Sequence, residues 1–276
     1  MRTLATIALL ALALGLVALV HHVGEPRAGR SPLTYEALCG ANAEADVQRR
    51  ARLAAIVHEL DAAVAAHEHV MDRERARRVE FARRLDPLRA PVDAVFEDVV
   101  AHAVETVGGD TPSAPVGAIE RLRAVRLRWI DPRDPGPVDE RALHRGCGSD
   151  LLVDDAWVDK SASEVVLCPG LLLVAGAHGR NVRAGLSFLI AHELGHVIAG
   201  THSSDERAER AAEVEADRWA ARILASVVES VPDAGARARF VRASVEPICA
   251  PKGDATHPAG PDRVRVVARE ASRLTC

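Results

Sequence analysis

Two histidines and a glutamate form the most informative segment of the sequence. His192 and His196 stand four residues apart, and Glu193 directly follows the first histidine. On an α-helix this spacing puts both imidazoles on one face, where they can share one metal ion while Glu193 holds the attacking water as a general base. The segment is predicted to be helical because apolar residues recur at helical spacing. They are Leu186, Ile190, Leu194 and Val197.

A catalytic zinc site needs a third protein ligand and one open position. Seventeen residues after His196, Glu213 and Asp217 stand four apart in an Ala-rich helix predicted from about Asp205 to Val228. Glu213 is the predicted third ligand. Asp217 is predicted to accept the second ring N–H of a ligand histidine, which orients the imidazole and raises its basicity. Glu215, on another face, is the alternative ligand.

The zinc pattern of metzincins fits the sequence less well. His202 falls six residues after His196, where that class carries its third histidine. The class also needs a glycine at position 199 and a methionine turn further on, whereas this chain has Ala199 and no methionine after Met71. His202 is therefore predicted to be a helix-end or loop histidine.

Four motifs, in order, resemble those of a known peptidase family. They are Glu164–Leu172, Leu189–His196, Glu213–Arg218, and Thr256–Pro258 with Arg263 and Val264. Together they are similar to the gluzincin family that includes the CaaX prenyl protease, the HtpX-type heat-shock membrane protease and periplasmic relatives. The resemblance covers residues 151–276. The gap between HExxH and the acidic motif is shorter than is usual in that family and nearer to that of thermolysin-like enzymes.

The resemblance implies one zinc ion per chain, bound by His192, His196 and Glu213. It implies that Glu193 is the general base. It also implies that Glu164–Cys168 is an edge strand, which would hold an extended peptide substrate by backbone pairing.

A proline-bounded loop from Pro251 to Pro261 can fold back over this site. His257 or Arg263 is then a candidate donor for the oxyanion of the transition state. His257 has two alternatives: it can occupy the fourth zinc position and keep the enzyme latent, or it can be a structural loop histidine.

Hydrophobic periodicity predicts the elements that position these residues. One long amphipathic helix is expected to end near Asp86-Pro87 and a second to run from Val92 to Val107, together forming an antiparallel helical hairpin. Strands are expected at Leu151–Val158 and Glu164–Cys168. The predicted class is α+β, mostly helical: a zincin-like catalytic domain with a small edge-strand sheet, preceded by the hairpin. Four segments are predicted: an N-terminal membrane anchor or signal (1–24), the helical hairpin (31–107), a linker and irregular region (108–150) and the zinc metallopeptidase domain (151–276).

The N-terminal segment from Leu4 to Val20 is apolar except for Thr6. We expect residues 4–20 to be a membrane anchor that leaves the body outside the cytoplasm, in the periplasm or the extracellular space. The alternatives are a cleaved secretory signal with a secreted body, or a segment that stays out of the membrane in a cytoplasmic protease that cleaves a regulator.

Five cysteines would sit in an oxidising compartment if the chain is exported. The local pairings are Cys147 with Cys168 and Cys249 with Cys276, leaving Cys39 free, although sequence does not determine connectivity.

The composition excludes some partners. Of 35 basic residues only Lys160 and Lys252 are lysines, and 39 acidic residues bring the net charge to −4, so a basic nucleic-acid footprint is absent. Aromatic residues make up only 3% of the chain, which disfavours base-stacking platforms and aromatic pockets. The core must therefore be built from Ala, Val and Leu.

The sequence predicts a zinc-dependent metalloendopeptidase acting on unfolded or extended protein substrates. With so few aromatic rings, it is expected to hold substrate through backbone pairing and the metal, with broad side-chain tolerance. The alternative is a catalytically silent, zinc-stabilised scaffold or binding protein at the membrane. The sequence does not indicate the oligomeric state.

Overall fold

The chain folds mainly into helices around one small sheet, as expected for the mostly helical α+β class. The structure is a computed structural model that describes residues 34–40, 45–65, 67, 69–109, 114–133, 147, 153, 155–159, 161, 163–177, 182–200, 206–250, 253 and 257–270. The helices are α1 (Tyr35–Cys39), α2 (Ala45–Val64), α3 (Val70–Leu85), α4 (Arg89–Gly109), α5 (Ala118–Ala124), α6 (Pro169–Ala177), α7 (Val182–Ala199), α8 (Glu206–Glu229), α9 (Ala234–Val245) and α10 (Gly260–Glu270). The strands are β1 (Arg126–Arg128), β2 (Ala156–Asp159) and β3 (Glu164–Leu167).

The sheet has the order β1-β3-β2. Strand β3 runs parallel to β1 and antiparallel to β2, with Leu127 opposite Val165 and Trp157 opposite Val166. The prediction that Glu164–Cys168 forms the edge strand is therefore wrong, because β3 has a neighbour on each side. The sequence did not reveal the pairing of β1 with β3 because β1 has only three residues, too few for a periodic signal. Of the described strands, β1 and β2 form the edges, and β2 lies against α7.

The N-terminal helices pair differently from the prediction. The first predicted helix is divided by a break between Val64 and Val70, so that α2 and α3 form the antiparallel pair. Arg84 binds Glu59 at 2.7 Å across this pair. Helix α4 instead packs its buried face against α7 and α8, so it belongs to the body that carries the histidines. The described residues from Thr34 onward form one unit, and the helical segment 31–107 is not a separate domain.

Helix α7 lies at the centre of this body. Twelve of its 18 residues are buried, including His192 and Glu193, and it contacts α4, α5, α8 and α9. A helix packed on several sides has little freedom to shift or rotate, so the groups it carries are held in fixed positions.

Two disulfides join distant parts of the described chain. Cys147 bonds Cys168, as predicted, with the Cα atoms 5.3 Å apart. Cys249 bonds Cys39 and not Cys276, with the Cα atoms 5.5 Å apart. The prediction for Cys249 was wrong because α1 packs against α9 and α10, a contact that local spacing does not reveal. Cys276 itself lies outside the described residues.

Replacing Cys39 by Ser is expected to destabilise the protein more than replacing Cys147 by Ser. The two bonds join cysteines 210 and 21 residues apart. Chain-entropy estimates for such loops are about 5 and about 3 kcal/mol. Urea unfolding midpoints, measured for each variant with its remaining disulfide oxidised, compare the two losses of stability relative to wild type. Equal losses of stability would show that chain entropy does not determine the contribution of these bonds.

The structure corrects the prediction of a membrane anchor and of the membrane-anchored location that depended on it. Among the residues that the structure describes, no helix combines the length and the apolar character needed to cross a membrane. The segment Leu4–Val20, on which the prediction rested, lies outside the described residues.

Candidate metal centre

Helices α7 and α8 approach each other closely at Gly195. A Cβ atom placed on Gly195 would lie 2.7 Å from both the Cα and the carbonyl oxygen of Ala216, closer than real Cβ contacts. Only glycine allows the two backbones to come this near. The close approach brings the side chains of Glu213 and Asp217 on α8 to the histidines of α7.

Four side chains direct their ligand atoms toward one another at this crossing. His192 Nε2 lies 3.0 Å from Glu213 Oε2 and 3.3 Å from His196 Nε2. His196 Nε2 is also 3.3 Å from Glu213 Oε1. From the loop before α10, His257 Nε2 lies 3.4 Å from Glu213 Oε2. The ligand atoms of His192, Glu213 and His257 all lie within 4.8 Å of one another, so this group could hold a metal ion.

The separations of these atoms are of the size found between two ligands of one small metal ion. Metal–ligand bonds of 2.0–2.1 Å arranged tetrahedrally place neighbouring ligand atoms about 3.3 Å apart. The four separations given above fall between 3.0 and 3.4 Å. These imidazole and carboxylate groups are therefore close enough together, and of the right chemical type, to bind one metal ion.

A buried carboxylate fixes the other side of His192. Asp217, with a fully buried side chain, places Oδ1 2.9 Å from His192 Nδ1. A proton on Nδ1 satisfies this hydrogen bond and leaves the Nε2 lone pair facing Glu213 and His196. Asp217 thus selects the tautomer that can bind a metal through Nε2.

Arg263 contacts Asp217 and lies on the side of His192 that faces away from the ligand atoms. Its Nε and Nη2 atoms donate to the two oxygens of Asp217 at 2.8 and 2.7 Å. Nη2 also lies 3.4 Å from His192 Nδ1, on the side of the ring opposite Nε2. This placement does not support the predicted oxyanion contact for Arg263. The fork instead orients Asp217, and through it His192.

The negative charges of Glu213 and Asp217 favour a positive charge at the position of His192 between them. Burial opposes charge on His192, yet hydrogen bonds to Asp217 and Glu213 outweigh it and raise the pKa of His192 to about 9. Burial would raise the pKa of Glu213, but hydrogen bonds from His192 and His196 hold it well below its usual range. Without a metal, the proton on His192 supplies the positive charge that the carboxylates require.

Glu193 is buried beside these groups, with only 6% of its surface exposed. Burial raises the pKa of its carboxyl to about 8; the nearby charge of His192 lowers it and those of Glu213 and Asp155 raise it. A carboxyl group with a pKa near neutrality can both accept and release a proton at working pH, as a general base that returns the proton must.

No family model, no curated protein and no solved structure matches the chain. The resemblance to gluzincins thus rests on the ordered motifs alone, and the function has to be argued from the site itself.

Contacts hold the chain in place on both sides of His257, at Cys249 and at Gly260. The preceding Cys249 is held by its disulfide and by the Tyr35 hydroxyl, which donates to the Cys249 carbonyl at 2.8 Å. Gly260 N–H closes the loop by donating to the Ala250 carbonyl at 2.9 Å. Of the three roles open to His257, its position 3.4 Å from Glu213 favours the fourth ligand.

The two other residues considered as ligands, Glu215 and His202, have different outcomes. Glu215 on α8 pairs with Arg218 at 2.9 Å, away from the ligand atoms, which does not support it as the alternative ligand. His202 lies outside the described residues. Sequence reasoning missed Gly195, although an isolated glycine within a helical pattern can indicate a close packing contact.

Proposed function

We propose that the protein is a zinc-dependent metalloendopeptidase that hydrolyses peptide bonds in extended or unfolded protein segments. One observation carries the proposal. The Nε2 atoms of His192 and His196 and the carboxylate of Glu213 lie 3.0–3.3 Å from one another, beside the buried carboxyl of Glu193. Site composition and geometry argue for this reaction class more strongly than the fold does.

Zinc is the proposed ion because it accepts histidine and carboxylate ligands in tetrahedral sites. When bound, it would supply Lewis-acid polarisation of the scissile carbonyl and would acidify the attacking water. His192, His196 and Glu213 would hold it. Asp217 and Arg263 would keep His192 oriented.

Proton transfer is assigned to Glu193. In the proposed reaction its carboxylate accepts a proton from the attacking water and donates it to the leaving amine. Burial raises the pKa of Glu193 to about 8 in the metal-free protein, which makes its carboxylate a stronger base than an exposed one. Exclusion of bulk water also strengthens the interactions within the site.

The substrate is proposed to bind as an added strand. Strand β2 (Ala156–Asp159) is at the edge of the described sheet and packs against α7, which carries the candidate ligands. An extended peptide could pair through main-chain hydrogen bonds with the side of β2 that faces away from β3. This assigns to β2 the role that the sequence predicted for Glu164–Cys168.

One observation favours the second candidate, a zinc-stabilised scaffold without activity. His257 provides a fourth donor, and four protein ligands are typical of structural zinc sites. The buried Glu193 argues against this alternative, since a structural site has no use for an adjacent carboxyl group that is costly to bury.

Replacing Glu213 by Ala is expected to remove the bound zinc, weakening its affinity by more than about 10²-fold, since even residues behind the ligands contribute about 10- to 100-fold. Glu215→Ala on the same helix is the matched control and is expected to retain about one zinc per chain. Zinc content by elemental analysis after dialysis measures both. Equal zinc in the two variants would remove Glu213 from the ligand set.

Replacing His257 by Ala is expected to raise kcat/KM while leaving one zinc bound, because it opens the position that a catalytic site keeps for water and substrate. Hydrolysis of a disordered protein, measured at matched zinc content, tests this. A fall in kcat with unchanged KM would instead indicate that His257 stabilises the transition state. Loss of zinc and of folding would support the scaffold.

A further inference from the structure

Helix α7 ends three residues after the second candidate ligand, His196. The last carbonyl groups of a helix have no partner within the helix and need one from outside. Gly200, with φ +65°, ends α7, and its N–H bonds the His196 carbonyl at 3.0 Å. The next two carbonyls, of Val197 and Ile198, need a different donor.

Arg121 on α5 supplies that donor. Its Nε donates to the Val197 carbonyl at 2.8 Å and its Nη2 to the Ile198 carbonyl at 2.5 Å. Val197 and Ile198 are 76 and 77 positions from Arg121 in the sequence. A cation at this end of the helix also interacts favourably with the helix dipole.

The guanidinium of Arg121 is itself fixed in place. Its Nη1 donates to the Val116 carbonyl at 3.1 Å. It also packs over Gly200, where an added Cβ would lie only 3.2 Å from Cζ of Arg121. Since several contacts fix the group, it can restrain the last turn of α7 and not merely follow it.

We infer that Arg121 is a positioning residue that holds His196 in the metal centre by clamping the end of α7. The inference rests on the proposed function to the extent that it requires a metal bound at His192, His196 and Glu213. The two clamped carbonyls belong to the residues that follow His196 directly. Fraying or rotation of this turn would move the His196 imidazole relative to His192 and Glu213, which are held elsewhere in α7 and α8.

The test measures zinc affinity by competition with a chromogenic chelator, well below the unfolding temperature of every variant. Arg121→Ala is expected to weaken zinc affinity about 10- to 100-fold, the range for residues that orient metal ligands. Arg121→Lys, which keeps the charge but not the fork, is expected to recover part of the loss.

Two control variants separate positioning from general destabilisation. Arg123→Ala changes an exposed arginine on the same helix. Asp233→Ala removes the side-chain cap of α9, where Asp233 accepts from the Ala236 N–H at 2.7 Å, and so costs a helix cap away from the metal ligands. Both are expected to change zinc affinity less than about twofold.

The outcomes keep this inference distinct from the proposed function. If Arg121→Ala lowers the unfolding temperature but changes zinc affinity no more than Asp233→Ala does, the positioning role is rejected and the peptidase proposal stands. If the wild type binds zinc and shows the Arg121 effect but cleaves nothing, the peptidase proposal fails and the positioning role remains. A wild type that binds no zinc overturns both.

Discussion

Replacing Glu193 by Gln is expected to reduce peptide-bond hydrolysis by about 10²- to 10⁴-fold, the range for loss of a general base. Glutamine has nearly the same shape but cannot accept the proton of the attacking water at neutral pH. The proposed zinc ligands are His192, His196 and Glu213. Because Glu193 is not one of them, the zinc affinity of the variant is expected to stay within a few-fold of wild type. Cleavage of a disordered protein at saturating zinc measures the first effect.

The matched control is Glu215→Gln, which makes the same chemical change on α8 at a side chain paired with Arg218. It is expected to keep full activity. A wild type that binds zinc yet is as inert as Glu193→Gln on every disordered substrate would reject the peptidase proposal in favour of the scaffold.

The same substitution has an expected effect on stability. Burial raises the pKa of Glu193 to about 8 in the folded, metal-free protein, above its ordinary value of 4.5. The folded state therefore binds more protons than the unfolded state between these values, and this group makes stability fall as pH rises from about 4.5 to about 8. With zinc chelated, Glu193→Gln is expected to gain stability relative to wild type across that pH range. Denaturant midpoints at pH 5 and pH 8 test the sign.

The parts of the site that the sequence predicted share one property. The positions of His192, His196, Glu213 and Asp217 along their helices follow from four-residue spacing within single helices, where chain geometry alone decides which side chains share a face. That local rule explains why Glu213 and Glu215, only two residues apart, point to different partners.

The parts that were not predicted depend on contacts between distant segments. The Arg263 fork on Asp217 spans 46 residues, and the Cys39–Cys249 bond spans 210. The central position of β3 depends on the three-residue strand β1, 38 positions earlier, from Arg126 to Glu164. Periodicity is a property of one element and carries no information on which elements meet. For the same reason, the helix from Val92 to Val107 was assigned to the wrong neighbour.

Replacing Gly195 by Ala is expected to disrupt both the packing and the metal centre. The added Cβ would meet the Ala216 backbone at 2.7 Å, and a helix backbone cannot yield as the end of a flexible side chain can. Overpacking of this kind costs about 1–3 kcal/mol or more. Separation of α7 from α8 would also draw Glu213 away from His192 and His196. We expect a lower unfolding temperature and at least about tenfold weaker zinc binding, since displaced metal ligands lose affinity in this range.

Gly185→Ala is the control that isolates the close contact. Gly185 lies on the same helix, but its nearest neighbour for an added Cβ is the Ala175 Cβ at 4.0 Å, an ordinary contact. There the substitution is expected to stabilise α7 by up to about 1 kcal/mol through helix propensity, with zinc affinity unchanged. Opposite signs in the two variants would assign the effect at Gly195 to helix separation, because both change glycine to alanine in α7. Equal stability and equal zinc affinity would mean that α7 and α8 do not need this close approach to build the site.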